Sequence, residues 1–373
     1  MRYYAGFSDK NFGQVIDAGP DKMAYTIKEP VGVCGQIIPW NYPLAMAGWK
    51  LGPALACGNT VVLKLSEVTP LSMLYVANLI RDAGFPSGVV NIINGYGREA
   101  GVALVEHPNV DKIAFTGSTA TGKEIMRLAS KTMKNITLET GGKSPLLVCE
   151  DANVAQAAKH AHLGIMSNSG QICTANSRLL VHEKVMDQFV DEFTKQVKNV
   201  SVIGDPFEKA TFQGPQVSKE QYDRVLSYFK SGVDEGAKLV VGGRPAKVAS
   251  GKGYFIEPTL FSNVKSSMKI SREEIFGPCA VVLPFSTDEE AIEIANDTTY
   301  GLGAMVFTRD LVRAHKTARE IEAGVVFINS TDDSDVRAPF GGVKQSGIGR
   351  ELGEAGLAAY CNIKSVHVNL TDE

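Results

Sequence analysis

The 373-residue sequence is short of several things, and each shortage excludes a class. No run of eighteen apolar residues occurs, so nothing reads as a membrane-spanning helix. The six cysteines, at positions 34, 57, 149, 173, 279 and 361, include no Cys-x-x-Cys and no paired spacing. That argues against a disulfide framework and for a reduced, cytoplasmic setting. The six histidines fall at no ligand spacing with cysteine or acid, so no metal site is expected. Charge of one sign is lacking too. With 38 Lys and Arg against 41 Asp and Glu the net charge is −3, and neither nucleic acid nor a membrane surface is expected as partner. Met1-Arg2-Tyr3-Tyr4 leads into no apolar stretch of the kind a signal peptide needs. There is no internal repeat and no low-complexity segment.

What is present is the composition of an ordinary globular protein, 44% hydrophobic and 21% charged, at a length that suits two or three domains. After a polar start with a strand at Met23–Ile27, short apolar strands alternate with helices. Strands are expected at Val31–Ile38, Thr60–Lys64, Val89–Ile93, Lys112–Thr116 and Ile136–Glu139. Helices are expected at Ala45–Ala56, from Thr69-Pro70 to Gly84 with Leu71, Leu74, Tyr75 and Leu79 as the apolar face, at Arg98–Glu106 and at Gly117–Ala129. This alternation means βαβ units and a parallel, two-sided sheet, whose ligands bind at the carboxyl ends of the strands. A second αβ block begins after Gly141-Gly142, with a strand at Leu146–Cys149 and a helix from Val154 to Ile165. Its next helix carries Val185, Phe189, Phe193 and Val197 on one face, and strands follow near Ala280–Pro284, Ala304–Thr308 and Val325–Asn329. The tail Ser365–Leu370 alternates like a lone edge strand, which unpaired would expose backbone donors and acceptors, so pairing with another subunit is expected.

Asn168-Ser169-Gly170-Gln171-Ile172-Cys173 places one thiol after a glycine-bearing loop where a helical pattern ends. Such a cysteine is either a small buried hydrophobe or a nucleophile with backbone N–H groups nearby. Gly117-Ser118-Thr119 follows a strand and opens a helix, an ordinary turn or an anion site. A P-loop is excluded, because Glu124 stands where Ser or Thr is required. Lys64 and Glu67 at a strand end are either a solvated pair or hold a ribose, where the acid would repel a 2′-phosphate. Glu139, at a strand end before two glycines, faces solvent or serves as a general base. Asn41, between Pro39-Trp40 and Tyr42-Pro43, is part of a rigid turn or an oxyanion donor. Glu274 and Phe276 before Gly277-Pro278 pack a turn or grip a ribose and a planar ring. A cysteine hydrolase using His160 or His162 fares poorly, since nothing places an imidazole against the thiol.

Together these segments resemble the NAD-dependent aldehyde dehydrogenase superfamily, from about Arg2 to Leu370. The resemblance rests on Pro-Trp-Asn at 39–41, Phe-Thr-Gly-Ser-Thr at 115–119, Leu-Glu-Thr-Gly-Gly-Lys-Ser-Pro at 138–145, Gly-Gln-Ile-Cys at 170–173, Glu-Glu-Ile-Phe-Gly-Pro at 273–278 and Pro-Phe-Gly-Gly-Val-Lys-Gln-Ser-Gly at 339–347. It implies a Rossmann-like cofactor domain over 31–141, a second α/β catalytic domain over 142–345, and a small β oligomerisation element drawn from 1–30 and 346–373. Cys173 is implied as nucleophile, Glu139 as the base that activates water, Asn41 as oxyanion donor, and Lys50 and Glu351 as residues that pass protons to the base. NAD, rather than NADP, is implied on Lys64 and Glu67 at the adenosine ribose, Gly117 and Ser118 at the pyrophosphate, Glu274 and Phe276 at the nicotinamide riboside, with Ile38 and Trp40 at the same cofactor. A homodimer or homotetramer acting on a small aldehyde follows.

Two departures carry expectations of their own. Members of the family usually have a sizeable further segment before the point matching Met1, and its loss is expected to expose apolar sheet or helix surface. A catalytically impaired relative with a binding or structural role is therefore the alternative. The stretch Thr331-Asp332-Asp333-Ser334-Asp335-Val336-Arg337, where many relatives have aromatics, is either a solvated rim or favours a cationic or polar aldehyde.

Overall fold

In a computed structural model, residues 1–249 and 251–371 are described, and the chain divides into two compact units. The first comprises Met1–Glu139, Asp335–Phe340 and Ile348–Glu373, and the second Thr140–Ser334 and Gly341–Gly347.

The first unit has an antiparallel sheet of β1 (Val15–Asp17), β2 (Lys22–Pro30) and the C-terminal strand Cys361–Asn369. It also has a parallel sheet of β3 (Val33–Ile37), β4 (Thr60–Lys64), β5 (Val90–Ile93), β6 (Lys112–Thr116) and β7 (Asn135–Glu139), in the order β5–β4–β3–β6–β7. A two-residue strand, Gly347–Ile348, completes that sheet beside β7. From β3 the chain steps outward to β4 and β5, then crosses back to the other side of β3 for β6 and β7. The reversal lies between β3 and β6, where open parallel sheets take their ligands beyond the carboxyl ends. The expected strands of the parallel sheet are present to within two residues, and β2 runs three residues beyond the expected end at Ile27.

Helix Pro43–Ala56 buries Met46, Ala47, Lys50, Leu51 and Ala54, the one-sided spacing of a helix laid on a sheet. Helix Leu71–Asp82 corrects the sequence reading. Its sides are apolar nearly all round, and it buries Met73, with Val76 and Ile80 against the same core, while Leu71 is 79% exposed and Leu74, Tyr75 and Leu79 also face outward. The expected helix at Arg98–Glu106 is a π-type turn, Gly97–Gly101, followed by Val102–Glu106. The tail is also corrected: Cys361–Asn369 is not a lone strand but pairs with β2 from Pro30 opposite Cys361 to Lys22 opposite Asn369. Its other side is the edge of the sheet.

The second unit holds a seven-stranded sheet: β8 (Pro145–Val148), β9 (Arg178–His182), β10 (Lys238–Val241), β11 (Thr259–Ser262), β12 (Cys279–Phe285), β13 (Gly303–Phe307) and β14 (Val325–Ile328). The order is β10–β11–β12–β9–β8–β13–β14, with only β10 antiparallel. Strand residues alternate between two cores. Leu146, Val148, Leu179 and Val181 meet helices Val154–Met166 and Met186–Val200, while Leu147 and Leu180 meet helix Lys219–Asp234. Burial on both faces explains why these strands read as continuous apolar runs. Phe189, Phe193 and Val197 form the buried stripe as expected, although Val185 lies in the short turn before the helix. The chain between Val202 and Gly253 is more polar in sequence, and β10 and β11, within and just after it, show no clear apolar pattern.

Candidate active site

In the first unit, four side chains from distant segments form a buried polar chain. Glu139 ends β7, opposite Thr116 at the end of β6, and is 3% exposed. Its Oε2 accepts from the Thr116 hydroxyl at 3.5 Å, and its Oε1 has no hydrogen-bond partner. Thr116 Oγ1 in turn accepts from Lys50 Nζ at 2.7 Å, and Lys50 is ion-paired with Glu351 with both fully buried. Burial, then the charge of Glu351, pushes the Glu139 carboxyl well above the usual carboxylate range, while Lys50 pulls the other way. A carboxyl so placed holds a proton poorly shared with solvent and is wired to a buried cation, the environment expected of a tuned acid–base group. Thr116 was not singled out by sequence reading, although it lies within a quoted motif.

The other sites expected in this unit cluster by topology. Ile38 and Trp40 follow β3, Lys64 ends β4, and Gly117 and Ser118 follow β6, all at carboxyl ends about the reversal of strand order. Ser118 caps helix Thr119–Ala129, its Oγ accepting from the Thr121 N–H at 3.2 Å. The hydroxyl is therefore engaged, and what remains for an anion is the first turn's backbone. Lys64 is buried rather than solvated. Its Nζ donates to the Leu65 carbonyl at 2.7 Å and stands 3.6 Å from the exposed Glu67 carboxylate. Asn41 is half-buried, immediately before the helix that opens at Pro43 and carries Lys50.

In the second unit, the loop before Cys173 is strained and over-determined. Asn168, Ser169 and Gly170 all have positive φ, at 47°, 57° and 71°. Non-glycine residues rarely adopt this conformation, and here polar contacts hold it. Gln171 Nε2 donates to the Asn168 carbonyl at 2.9 Å, Ser169 Oγ to the Gly214 carbonyl at 2.7 Å, and Val217 N–H to Gln171 Oε1 at 3.0 Å. A Cβ on Gly170 would lie 2.0 Å from the Gly277 carbonyl, so only glycine fits. Cys173 follows, half-buried. The Gly141-Gly142 backbone lies against both neighbours of this loop. A Cβ on Gly142 would lie 2.6 Å from the Cys173 carbonyl oxygen, and one on Gly141 would lie 2.3 Å from Glu274 Oε2. The Gly142 N–H donates to Glu274 Oε1 at 3.0 Å, and burial pushes the Glu274 carboxyl up to about 7. Phe276, two residues on, has φ 59°.

The acidic loop is not uniform. Asp335 is ion-paired with Arg337 at 2.6 Å, whereas Asp332 accepts from Thr174 Oγ1 at 3.4 Å, one residue past Cys173. Asp332 is exposed by accessible surface, and partial loss of hydration at its carboxyl raises it. The histidines on the preceding helix are otherwise occupied: His162 Nε2 is 2.7 Å from Ser201 Oγ, and His160 lies against the Phe307 ring. Burial lowers His162 to about 4. Sequence reading also passed over Lys143, buried beside Glu274 without a hydrogen-bond partner and lowered by burial to about 8.

A family model described as the aldehyde dehydrogenase family matches residues 1–366. The chain belongs to that family. An aldehyde dehydrogenase-like protein of Schizosaccharomyces pombe is 55% identical over 373 residues, covering 100% of this chain and 75% of the relative. The mitochondrial aldehyde dehydrogenase of Homo sapiens is 51% identical over 371 residues, covering 99% and 71%. Among solved structures, the NAD+ complex of aldehyde dehydrogenase from Bacillus cereus matches with a TM-score of 0.97 at 52% identity, covering 99% of this chain and 74% of that one. The betaine aldehyde dehydrogenase of Staphylococcus aureus, in complex with NAD+, matches at 0.97 and 42% identity, covering 100% and 74%. The mixed α/β architecture with parallel sheets is that of the aldehyde dehydrogenases, and the resemblance carried by the six motifs holds.

Proposed function

We propose that this aldehyde dehydrogenase family chain oxidises an aldehyde to a carboxylic acid with NAD+ through a thiohemiacetal and a thioester on Cys173. The observation that carries the reading is the buried Glu139–Thr116–Lys50–Glu351 chain, which gives a strand-end carboxyl both a raised proton affinity and a route for protons. The residues fit a dinucleotide. A helix N-terminus, the Lys64–Glu67 pair and Gly117 stand at carboxyl ends about the sheet's reversal, and Glu274 offers a carboxyl already oriented by the Gly142 N–H. Lys64 and Glu67 would hold the adenosine ribose, Gly117 and Ser118 the pyrophosphate, and Glu274 and Phe276 the nicotinamide riboside, with Ile38 and Trp40 at the same cofactor. The chemistry a bound NAD+ supplies is acceptance of the hydride.

The Cys173 thiolate attacks the aldehyde carbon, and the Asn41 amide with the Cys173 N–H holds the oxyanion, each such donor being worth about 3–4 kcal/mol. Glu139 then takes a proton from the water that cleaves the thioester and passes it by Thr116 and Lys50 toward Glu351. The place of strand Cys361–Asn369 at the end of its sheet supports assembly as a homodimer or homotetramer. The six scattered cysteines support a reducing, cytoplasmic setting.

The test is NADH appearance with purified protein, NAD+ and short, long, aromatic and amino aldehydes. Turnover that Cys173→Ala abolishes is expected, with NAD+ binding retained. Because Asp332 reaches the residue next to the nucleophile, an amino aldehyde is expected to surpass an aliphatic one of equal length. Folded protein that binds NAD+ and turns over nothing in the panel would refute the activity.

A further inference from the structure

We propose that Cys57 and Cys361, which are 304 positions apart in sequence, form a dithiol that oxidises to a disulfide joining the end of helix Pro43–Ala56 to the start of the C-terminal strand. The two thiols share one donor: Asn11 Nδ2 points at Cys361 Sγ from 3.0 Å and at Cys57 Sγ from 3.9 Å. Cys57 Sγ also donates to the Leu357 carbonyl at 3.5 Å, four residues before Cys361. The backbones are already stitched on the other side, where Asn59 Nδ2 donates to the Ala54 and Tyr360 carbonyls at 3.0 Å each. Hydrogen bonds on both sides thus hold the two segments next to each other, the proximity a disulfide requires of its flanking backbone.

The two thiols differ in access, which fixes the order of events. Cys361 is half-buried and Cys57 is buried. Burial, with Cys361 next, raises the Cys57 thiol, so it serves as the second thiol and not the first. The oxidant is a low-molecular-weight disulfide such as oxidised glutathione. The Cys361 thiolate attacks one of its sulfurs and expels one thiolate, leaving a mixed disulfide. Cys57 gives up its proton, and its thiolate displaces the second half. Two protein thiols become one disulfide, and two electrons leave with two small thiols.

The bridge closes a loop of most of the chain and therefore stabilises the folded state. It also pins the segments that carry the buried pair, since Lys50 lies on helix Pro43–Ala56 and Glu351 ten residues before Cys361.

The experiment equilibrates full-length protein with oxidised glutathione, blocks remaining thiols with N-ethylmaleimide, and digests without reduction. Tryptic peptides 51–64 and 351–364 each contain one cysteine, so the bridge is read as a joined pair two hydrogens lighter than their sum. The melting midpoint of oxidised over reduced protein is expected to rise by roughly 5–10 °C. That rise should persist in Cys173→Ala and vanish in Cys361→Ser. The proposal is overturned if Cys361 is recovered only as a glutathione adduct, joined to another cysteine, or alkylated together with Cys57. The mass measurement on the unaltered chain decides even where Cys57→Ser does not fold.

Discussion

Replacing Lys50 by methionine tests the buried polar chain of the first unit more sharply than any other single change. Lys50 is fully buried, its ammonium shared between the Glu351 carboxylate and Thr116 Oγ1. At an effective dielectric of about 20, two unit charges 4 Å apart attract by about 4 kcal/mol, and this pair is closer. Part of that offsets the desolvation of both ions, so the pair need not be stabilising against an apolar one. Removing one member is different, because Glu351 is left charged and buried, at a cost of about 3–5 kcal/mol. Lys50→Met/Glu351→Leu removes that orphan and is expected to recover stability to within about 1–2 kcal/mol of the unaltered protein. The single change also takes away the cation that opposes the burial of Glu139, so the carboxyl rises further and the acid limb of the pH–rate profile moves to higher pH. Urea unfolding of both variants, with the pH dependence of turnover in the single one, measures these effects. An unchanged unfolding midpoint and an unmoved acid limb in Lys50→Met would refute the reasoning.

Two further changes follow from the geometry. Glu139 in the folded protein keeps its proton to a higher pH than in the unfolded chain, so between those two pKa values the native state binds more protons and stability falls as pH rises. Glu139→Gln lacks that decline; its melting midpoint is expected to exceed that of the unaltered protein at pH 8, with the gap shrinking toward pH 5, and a gap independent of pH would contradict the assignment. Gly142→Ala places a Cβ 2.6 Å from the Cys173 carbonyl oxygen, so the backbone must shift. The expected cost is about 1–3 kcal/mol in urea unfolding, with turnover down by on the order of a hundredfold, and full activity would contradict the close approach.

The parallel sheets were legible because strands buried on both faces stand out as short apolar runs between helices. The motif residues were legible because each lies where a strand or helix ends. What escaped was set by long-range packing. Periodicity chose the wrong face of helix Leu71–Asp82, because a helix apolar nearly all round does not say which side meets the core. The tail seemed lone because its partner β2 lies more than three hundred residues earlier. Lys50 and Glu351 were joined to Glu139 only through the family resemblance and Thr116 not at all, because the three come from separated segments that no local pattern connects. Asp332 and Thr174 are likewise 158 residues apart, and their contact separates one aspartate from a loop that otherwise reads as a solvated rim.

The most direct test of the central claim is a single-turnover experiment on Glu139→Gln. Mixed with NAD+ and an aldehyde it should release NADH in one burst, stoichiometric with protein, while intact mass shows an acyl group that maps to Cys173. Turnover should then stall, since the base that activates water is gone. Sustained turnover in that variant, or a burst with no acyl group on Cys173, would contradict the account.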